Sequence, residues 1–223
     1  YCTHFYIIGL VILLHQSDSI RYAFSDMYVA DPISDFLKLL SCGSVLAMLI
    51  YAKNYIEVRA IYTGEFFTLT LFTLLGMMIM ISANHFLILY LGLELLSLSL
   101  YSMVALSRGA LVSSEAAVKY FILGALASGF LLYGMSMIYG ATGSLLLPEV
   151  ASRLSTNPEG INLALFGLVF VVAGIAFKVG AVPFHMWVPD VYQGAPTAIT
   201  LLIGTAPKFA TYAFIFRLLV EGM

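Results

Sequence analysis

FFTLTLFTLLGMMIMISA, residues 66–83, runs for eighteen residues without a charge. As a helix it covers about 27 Å, close to the thickness of a bilayer's hydrocarbon core. A chain in that environment must satisfy its own backbone hydrogen bonds, which leaves a helix or a strand of a closed barrel. A barrel strand is about 10 residues long and alternates polar with apolar positions. This stretch does neither, so it reads as a transmembrane helix.

Its neighbour decides how the chain turns. After Asn84 and His85 comes a second apolar run, LILYLGLELLSLSLYSMV at 87–104, and so short a connection predicts a tight antiparallel hairpin. Seven apolar segments are visible in all, at 5–14, 36–52, 66–83, 86–106, 115–140, 161–182 and 197–220. The first, FYIIGLVILL, has no basic region before it and reads as part of a helix and not as a signal peptide. Connectors carry the expected signals: KNYIEVRAIYTGE (53–65) holds four charges, and STNPEG (155–160) holds helix-stopping Pro and Gly. The fold class is therefore all-α, a polytopic transmembrane helix bundle.

Composition agrees with that reading. Of 223 residues 61% are hydrophobic and 10% charged, and mean hydropathy is +0.99. The bilayer is the first partner, and a net charge of −2 offers no footprint for nucleic acid. Cys2 and Cys42 form neither a disulfide framework nor a metal knuckle, and each reads as a small packed residue. Lys53, Arg59 and Arg108 fall on one side of the bundle and Arg21, Arg153 and Arg217 on the other, so the positive-inside count does not decide orientation.

Each of the last four spans carries an ionisable residue within apolar sequence: Glu94, Lys119, Lys178 and Lys208, with Glu115 at the mouth of the second of these spans. A charge at the bilayer centre costs about 2.5–3.5 kcal/mol on insertion scales, so such residues pair, face water or do chemistry. Glu94 lies about 13 Å into its span, too deep to snorkel. Tyr90, Ser97 and Tyr101 share its helical face, and that polar stripe predicts an inward orientation. Two roles fit Glu94: a proton-carrying group, or a protonated acid that pins helices together.

The lysines differ in depth. Lys119 follows Ser114, a candidate N-cap, and Glu115, a candidate ion-pair partner at i−4. At about 7 Å along its helix, snorkelling and function both fit. Lys38, near the start of another span, reads as snorkelling. Lys178 stands in GIAFKVGAVPFHMWVPD, where Gly180 weakens the helix and Pro183 breaks it, leaving the Val179 carbonyl without its helical donor. Broken backbone in a membrane survives where it is buried in protein or lines water, so a discontinuity near 179–184 predicts a hydrated pocket; an ordinary helix end is the alternative. Lys208 sits near mid-span in APKFATY, with Pro207 freeing the Ile203 carbonyl and Thr205 and Thr211 flanking it as a possible relay. His185, two residues after Pro183, is placed either to join the Lys178 pocket as a relay or to pack as an ordinary histidine. Burial disfavours the charged form of each group and an opposite charge favours it, so moving a partner switches protonation. The chain has no phosphate-binding Gly-rich loop and no nucleophile triad, so energy for transport has to come from a partner or an ion gradient.

Four stretches carry a family resemblance: NHFLILYLGLELLSLSLYSMVA, SSEAAVKYFILGALASGFLLYGMSMIYG, FKVGAVPFHMWVPDVYQGAPT and APKFATYAFIFRLL. From about Asp26 onward they resemble the antiporter-like subunits of proton-pumping NADH:quinone oxidoreductase, respiratory complex I, and VPFHMWVPDVYQGAPT is similar to bacterial N subunits more than to L or M. The resemblance implies inverted repeats, each with a broken helix and a central lysine. Glu94 takes the place of the glutamate that faces a neighbouring subunit and transmits the coupling signal. Lys178 takes the place of the broken-helix lysine that this glutamate tunes, Lys208 that of the lysine passing the proton to the central axis, and Lys119 that of a sixth-helix lysine.

The same resemblance implies residues 1–62 as N-terminal transmembrane helices and loops and 63–223 as the proton-translocating bundle of the first repeat, with no second repeat in this sequence, as in a fragment. It implies a non-redox subunit of the oxidoreductase with no cofactor of its own. NADH, FMN, iron-sulfur clusters and quinone belong to partner subunits. Partners are other membrane subunits of complex I, including another antiporter-like subunit, in a bacterial inner membrane or its mitochondrial equivalent, with the 53–65 and 107–114 loops on the cytoplasmic side. Two other readings stand beside it: a subunit of a multisubunit sodium/proton antiporter, and a scaffold whose buried charges serve packing alone.

Overall fold

The computed structural model describes residues 20–59, 61, 63–107, 109–156 and 160–221. Among the described residues, six stretches are long and apolar enough to cross a membrane. They are α1 (Pro32–Val58), α2 (Gly64–Ile81), α3 (Phe86–Val104), α4 (Leu111–Thr142), α6 (Ile161–Val179) and a last span built from α8 (Thr197–Gly204), α9 (Ala206–Phe216) and a π-helical turn, Arg217–Glu221. Two short helices, α5 (Leu147–Thr156) and α7 (Trp187–Gly194), and an antiparallel hairpin of β1 (Arg21–Ala23) and β2 (Tyr28–Ala30) are the other elements among the described residues. The segment expected at 5–14, with Cys2, His4 and His15, lies outside the described residues. Cys42 is a packed residue of the core.

Local chemistry fixes the helix starts. Asp31 caps α1 by accepting the Ser34 amide at 3.0 Å, Ser34 Oγ accepts the Asp31 amide in return at 3.0 Å, and Pro32 opens the helix. His85 caps α3, its Nδ1 accepting the Leu87 amide at 3.2 Å; burial pushes this imidazole below its usual pKa, in keeping with a neutral ring that accepts. α4 begins at Leu111, earlier than the expected cap at Ser114. The amide of Ser114 already bonds to the Ala110 carbonyl, and Ser113 Oγ anchors the helix start to the Val104 carbonyl at 2.6 Å. Lys119 is thus about 12 Å into its helix.

The hairpin predicted at Asn84–His85 is present, and its turn is strapped on both sides. Val29 donates to the Ser82 carbonyl and Asn84 to that of Met27, while Phe86 donates to Leu145 and Leu147 to Asn84. Packing then follows small residues, which let helices approach where hydrophobicity alone gives no drive. A Cβ on Gly76 would meet the Leu96 amide nitrogen at 2.6 Å, across the α2–α3 seam, and one on Gly167 the Gly134 carbonyl oxygen at 2.7 Å, across α4–α6. Pieces α8 and α9 pack on α1 and α2 to close the bundle. Outward-facing Leu165, Phe166 and Val169 of α6 remain exposed, as a lipid-facing surface requires.

Two charges read from sequence as peripheral are inside. Lys38 is 4% exposed, with Nζ 3.0 Å from the Tyr28 hydroxyl and 3.7 Å from Asp35 Oδ1, because β2 lies over the first turns of α1. It does not snorkel. Arg217 is 2% exposed and holds Asp31 Oδ1 at 2.7 Å, joining the start of α1 to the end of the last span.

Candidate functional site

The polar stripe of α3 faces inward as its spacing predicts. Ser97 and Tyr101 are buried, and Lys178 Nζ donates to Ser97 Oγ at 2.8 Å and to the Tyr101 hydroxyl at 3.1 Å. One turn before Ser97 on the same helical face stands Glu94. Its Oε1 is buried and has no hydrogen-bond partner. Tyr101 fits because α4 has a glycine opposite: a Cβ on Gly124 would overlap the Tyr101 hydroxyl.

The break after Lys178 is made by Gly180, before Pro183 is reached. Gly180 takes φ +79°, a left-handed value that glycine adopts freely, and closes α6 in a Schellman-type turn. A helix end leaves four carbonyls to be satisfied, and here all four are accounted for. Ala176 O accepts the Gly180 and Ala181 amides, and Phe177 O accepts the Gly180 amide and, at 2.9 Å, Trp187 Nε1. Val179 O accepts Lys208 Nζ at 2.8 Å, with Lys178 O at 3.5 Å from the same ammonium. The carbonyl expected beside Lys178 therefore receives the other lysine. A cation at this negative helix end also suits the helix dipole.

Lys119 stands apart. Its Nζ pairs with Glu115 at 2.8 Å, as expected, and with Asp190 of α7 at 3.1 Å. These residues, with Val112, Ala116 and Gln193, line an open cavity of about 150 Å³ at the end of the bundle that carries the 105–110 connection. Between this mouth and Lys178 the space is filled by rings. Tyr120 stacks on Trp187 at 4.6 Å and meets the Tyr101 ring edge-on at 4.6 Å. The break expected to mark a hydrated pocket is packed by aromatics on this side.

His185 does not join the lysines: it is exposed, and the turn after Gly180 directs Trp187, two residues later, into the interior instead. The Thr205 and Thr211 hydroxyls both donate back to their own helices, to Leu201 O and Pro207 O, so neither donates a proton toward Lys208. Asp190, Trp187 and Gly124 were not singled out in the sequence; the VPD that follows the break was the available signal for Asp190. Among the described residues no group of His, Cys, Asp and Glu is arranged to hold a metal ion.

Comparison with known proteins fits this arrangement. The family model for NADH:quinone oxidoreductase/Mrp antiporter transmembrane proteins matches residues 83–222, more than half of the chain. A protein of Nitrosomonas europaea named NADH-quinone oxidoreductase subunit N is 61% identical over 207 residues, 93% of this chain and 43% of that protein. The chain thus spans less than half the length of this relative. Respiratory complex I from Thermus thermophilus with bound Aureothin contains a chain that superposes with a TM-score of 0.81 at 36% identity, covering 97% of this chain and 46% of that one. The Mrp complex from Dietzia contains one with a TM-score of 0.79, covering 97% and 42%, and at 19% identity that likeness is one of fold. The chain belongs to the transmembrane family of NADH:quinone oxidoreductase and Mrp antiporter proteins.

Proposed function

We propose that residues 63–223 form a proton half-channel of subunit N of an NADH:quinone oxidoreductase, in a bacterial inner membrane. The observation that carries this reading is the convergence of two lysines on one helix break: Lys178 on the α3 stripe beside Glu94, and Lys208 on the broken end of α6. A buried acid and a buried base within electrostatic reach each favour the charged form of the other, so displacement of either changes where the proton rests. Lys119, between Glu115 and Asp190 at a polar mouth, is the loading position. Lys208 is the next station, and its two backbone acceptors hold it within reach of the helix that carries Lys178.

Redox chemistry resides in partner subunits, which hold NADH, FMN, iron-sulfur clusters and quinone; another antiporter-like subunit takes the onward signal from Glu94. The helix breaks speak against a pure scaffold, since packing alone gains nothing from backbone that has to be re-satisfied by lysines. The 61% relative named as an oxidoreductase subunit favours this reading over a sodium/proton antiporter. The test uses the full-length subunit in the intact complex in sealed vesicles. Lys178→Ala and Glu94→Ala, once assembly is verified, are expected to lower NADH-driven pumping at least tenfold together with coupled turnover. Wild-type pumping in assembled variants defeats the proposal.

A further inference from the structure

The Lys178 ammonium is not on Glu94. It lies on two uncharged hydroxyls, Ser97 Oγ at 2.8 Å and Tyr101 OH at 3.1 Å, one and two turns further along the same helix face. Both are buried, at 3% and 6% exposure, and the carboxyl they bypass has a buried oxygen with no hydrogen-bond partner. Such a carboxyl oxygen is an open acceptor, and leaving it unmade is costly. Something must therefore hold the lysine away from it.

The hydroxyls are built to do so. Tyr101 is fixed by edge contacts with Tyr120 at 4.6 Å and Phe121 at 5.9 Å, and its phenol enters the notch that Gly124 leaves in α4. Ser97 stands between Glu94 and Tyr101 on the face. A lysine has a flexible four-carbon stem carrying three donors, so its head can move between these acceptors while its Cα stays in α6.

We propose that Ser97 and Tyr101 are positioning residues, a hydroxyl cradle that gives Lys178 a second docking position and keeps it from settling permanently on Glu94. This rests on the reading of Glu94 and Lys178 as a proton path. With the cradle, the lysine has two resting places, one facing the carboxylate and one facing neutral oxygens, and exchange between them is the switch. Without it the carboxylate is the sole strong acceptor and the lysine stays there.

The experiment measures protons pumped and NADH oxidised by the intact complex in sealed vesicles, with assembly verified for every variant. Ser97→Ala with Tyr101→Phe is expected to lower pumping at least tenfold, since even one hydrogen bond to a charged group is worth about that factor. Tyr101→Phe alone, which keeps the ring packing, is expected to lower it several-fold, and it serves if the double variant does not assemble. Ser97→Thr, which keeps a hydroxyl, restores most of the activity lost in Ser97→Ala. Ser99→Ala on the same helix, where the hydroxyl bonds only to the Leu95 carbonyl, leaves pumping unchanged.

The decisive variant adds Glu94→Asp to the double. The carboxylate is then one methylene shorter and holds Lys178 less well, so pumping rises several-fold above that of the double, an outcome no packing defect gives. If assembled Ser97→Ala/Tyr101→Phe pumps as wild type while Lys178→Ala does not, the cradle is wrong and the proton path stands. A further fall on adding Glu94→Asp also overturns the cradle. If Lys178→Ala pumps as wild type, the proton path itself fails.

Discussion

One atom of bulk at Gly124 tests how much the site depends on a single contact. Its Cβ would overlap the Tyr101 hydroxyl and press on the ring, whose other edges are already occupied by Tyr120 and Phe121. Overpacking of this kind costs about 1–3 kcal/mol. Gly124→Ala is therefore expected to destabilise the assembled protein by that amount and to lower pumping several-fold, because the phenol leaves Lys178; unchanged pumping with intact assembly contradicts this. The inward face of α3 was legible beforehand because Tyr90, Glu94, Ser97 and Tyr101 recur at helical spacing, a pattern written within one segment. The glycine was not, because nothing in α4 says which side chain crosses from α3 to fill its notch. Lys38 failed for the same reason. Its depth in α1 permits snorkelling, and only the strand carrying Tyr28, which has no apolar signature, buries it.

At the scale of elements, the broken helix shows what local sequence can and cannot specify. Gly180 and Pro183 announce a break, and the break is there. Which groups repair it is a tertiary matter: Trp187 Nε1 takes the Phe177 carbonyl and Lys208 takes that of Val179, from a segment 29 residues away. His185 looked well placed by proximity to Pro183, yet a turn reverses the order in which neighbours face the core, and Trp187 entered instead. α5 and the β1–β2 hairpin escaped notice because neither is apolar enough to stand out. The left-handed φ of +79° at Gly180 yields a direct prediction. An L residue there pays about 1–2 kcal/mol, and a Cβ would also press on Val188 Cγ2 at 2.9 Å. Gly180→Ala is expected to lower the thermal midpoint of the purified full-length protein in detergent, and Gly180→Asn to lower it less, since Asn tolerates this conformation. Equal losses for both assign the cost to the Val188 contact alone.

Across the whole molecule, the two lysines at the helix break are mounted on a frame closed at the opposite end of the bundle from the Lys119 mouth. There the β hairpin, the Ser82–His85 turn and residues 145–147 exchange backbone hydrogen bonds, and Asp31 with Arg217 ties the start of α1 to the end of the last span. Such a tie keeps α9, and with it Lys208, in register with the break in α6. Burial alone would raise the Asp31 carboxyl, but the hydrogen bonds from Arg217 and Ser34 and the Arg217 charge outweigh it and hold the pKa below the usual 3.8. A carboxylate depressed in this way contributes stability that is fully present above pH 3.8 and is lost as pH falls through the lower folded value. Asp31→Asn removes the charge from one side of a buried, hydrogen-bonded pair, which costs about 1.5–3 kcal/mol, the range for a hydrogen bond to a charged group. Thermal unfolding of the full-length protein in detergent is the measurement, run from pH 7 downward. The variant is expected to melt well below wild type at neutral pH, and the two curves are expected to begin converging only below pH 3.8 and to meet once the pH has passed the lowered folded value, where the wild-type carboxyl takes up its proton. A difference that persists unchanged into strong acid assigns the contribution to the shape of the side chain and removes the ion pair from its role as the clasp that holds Lys208 at the break.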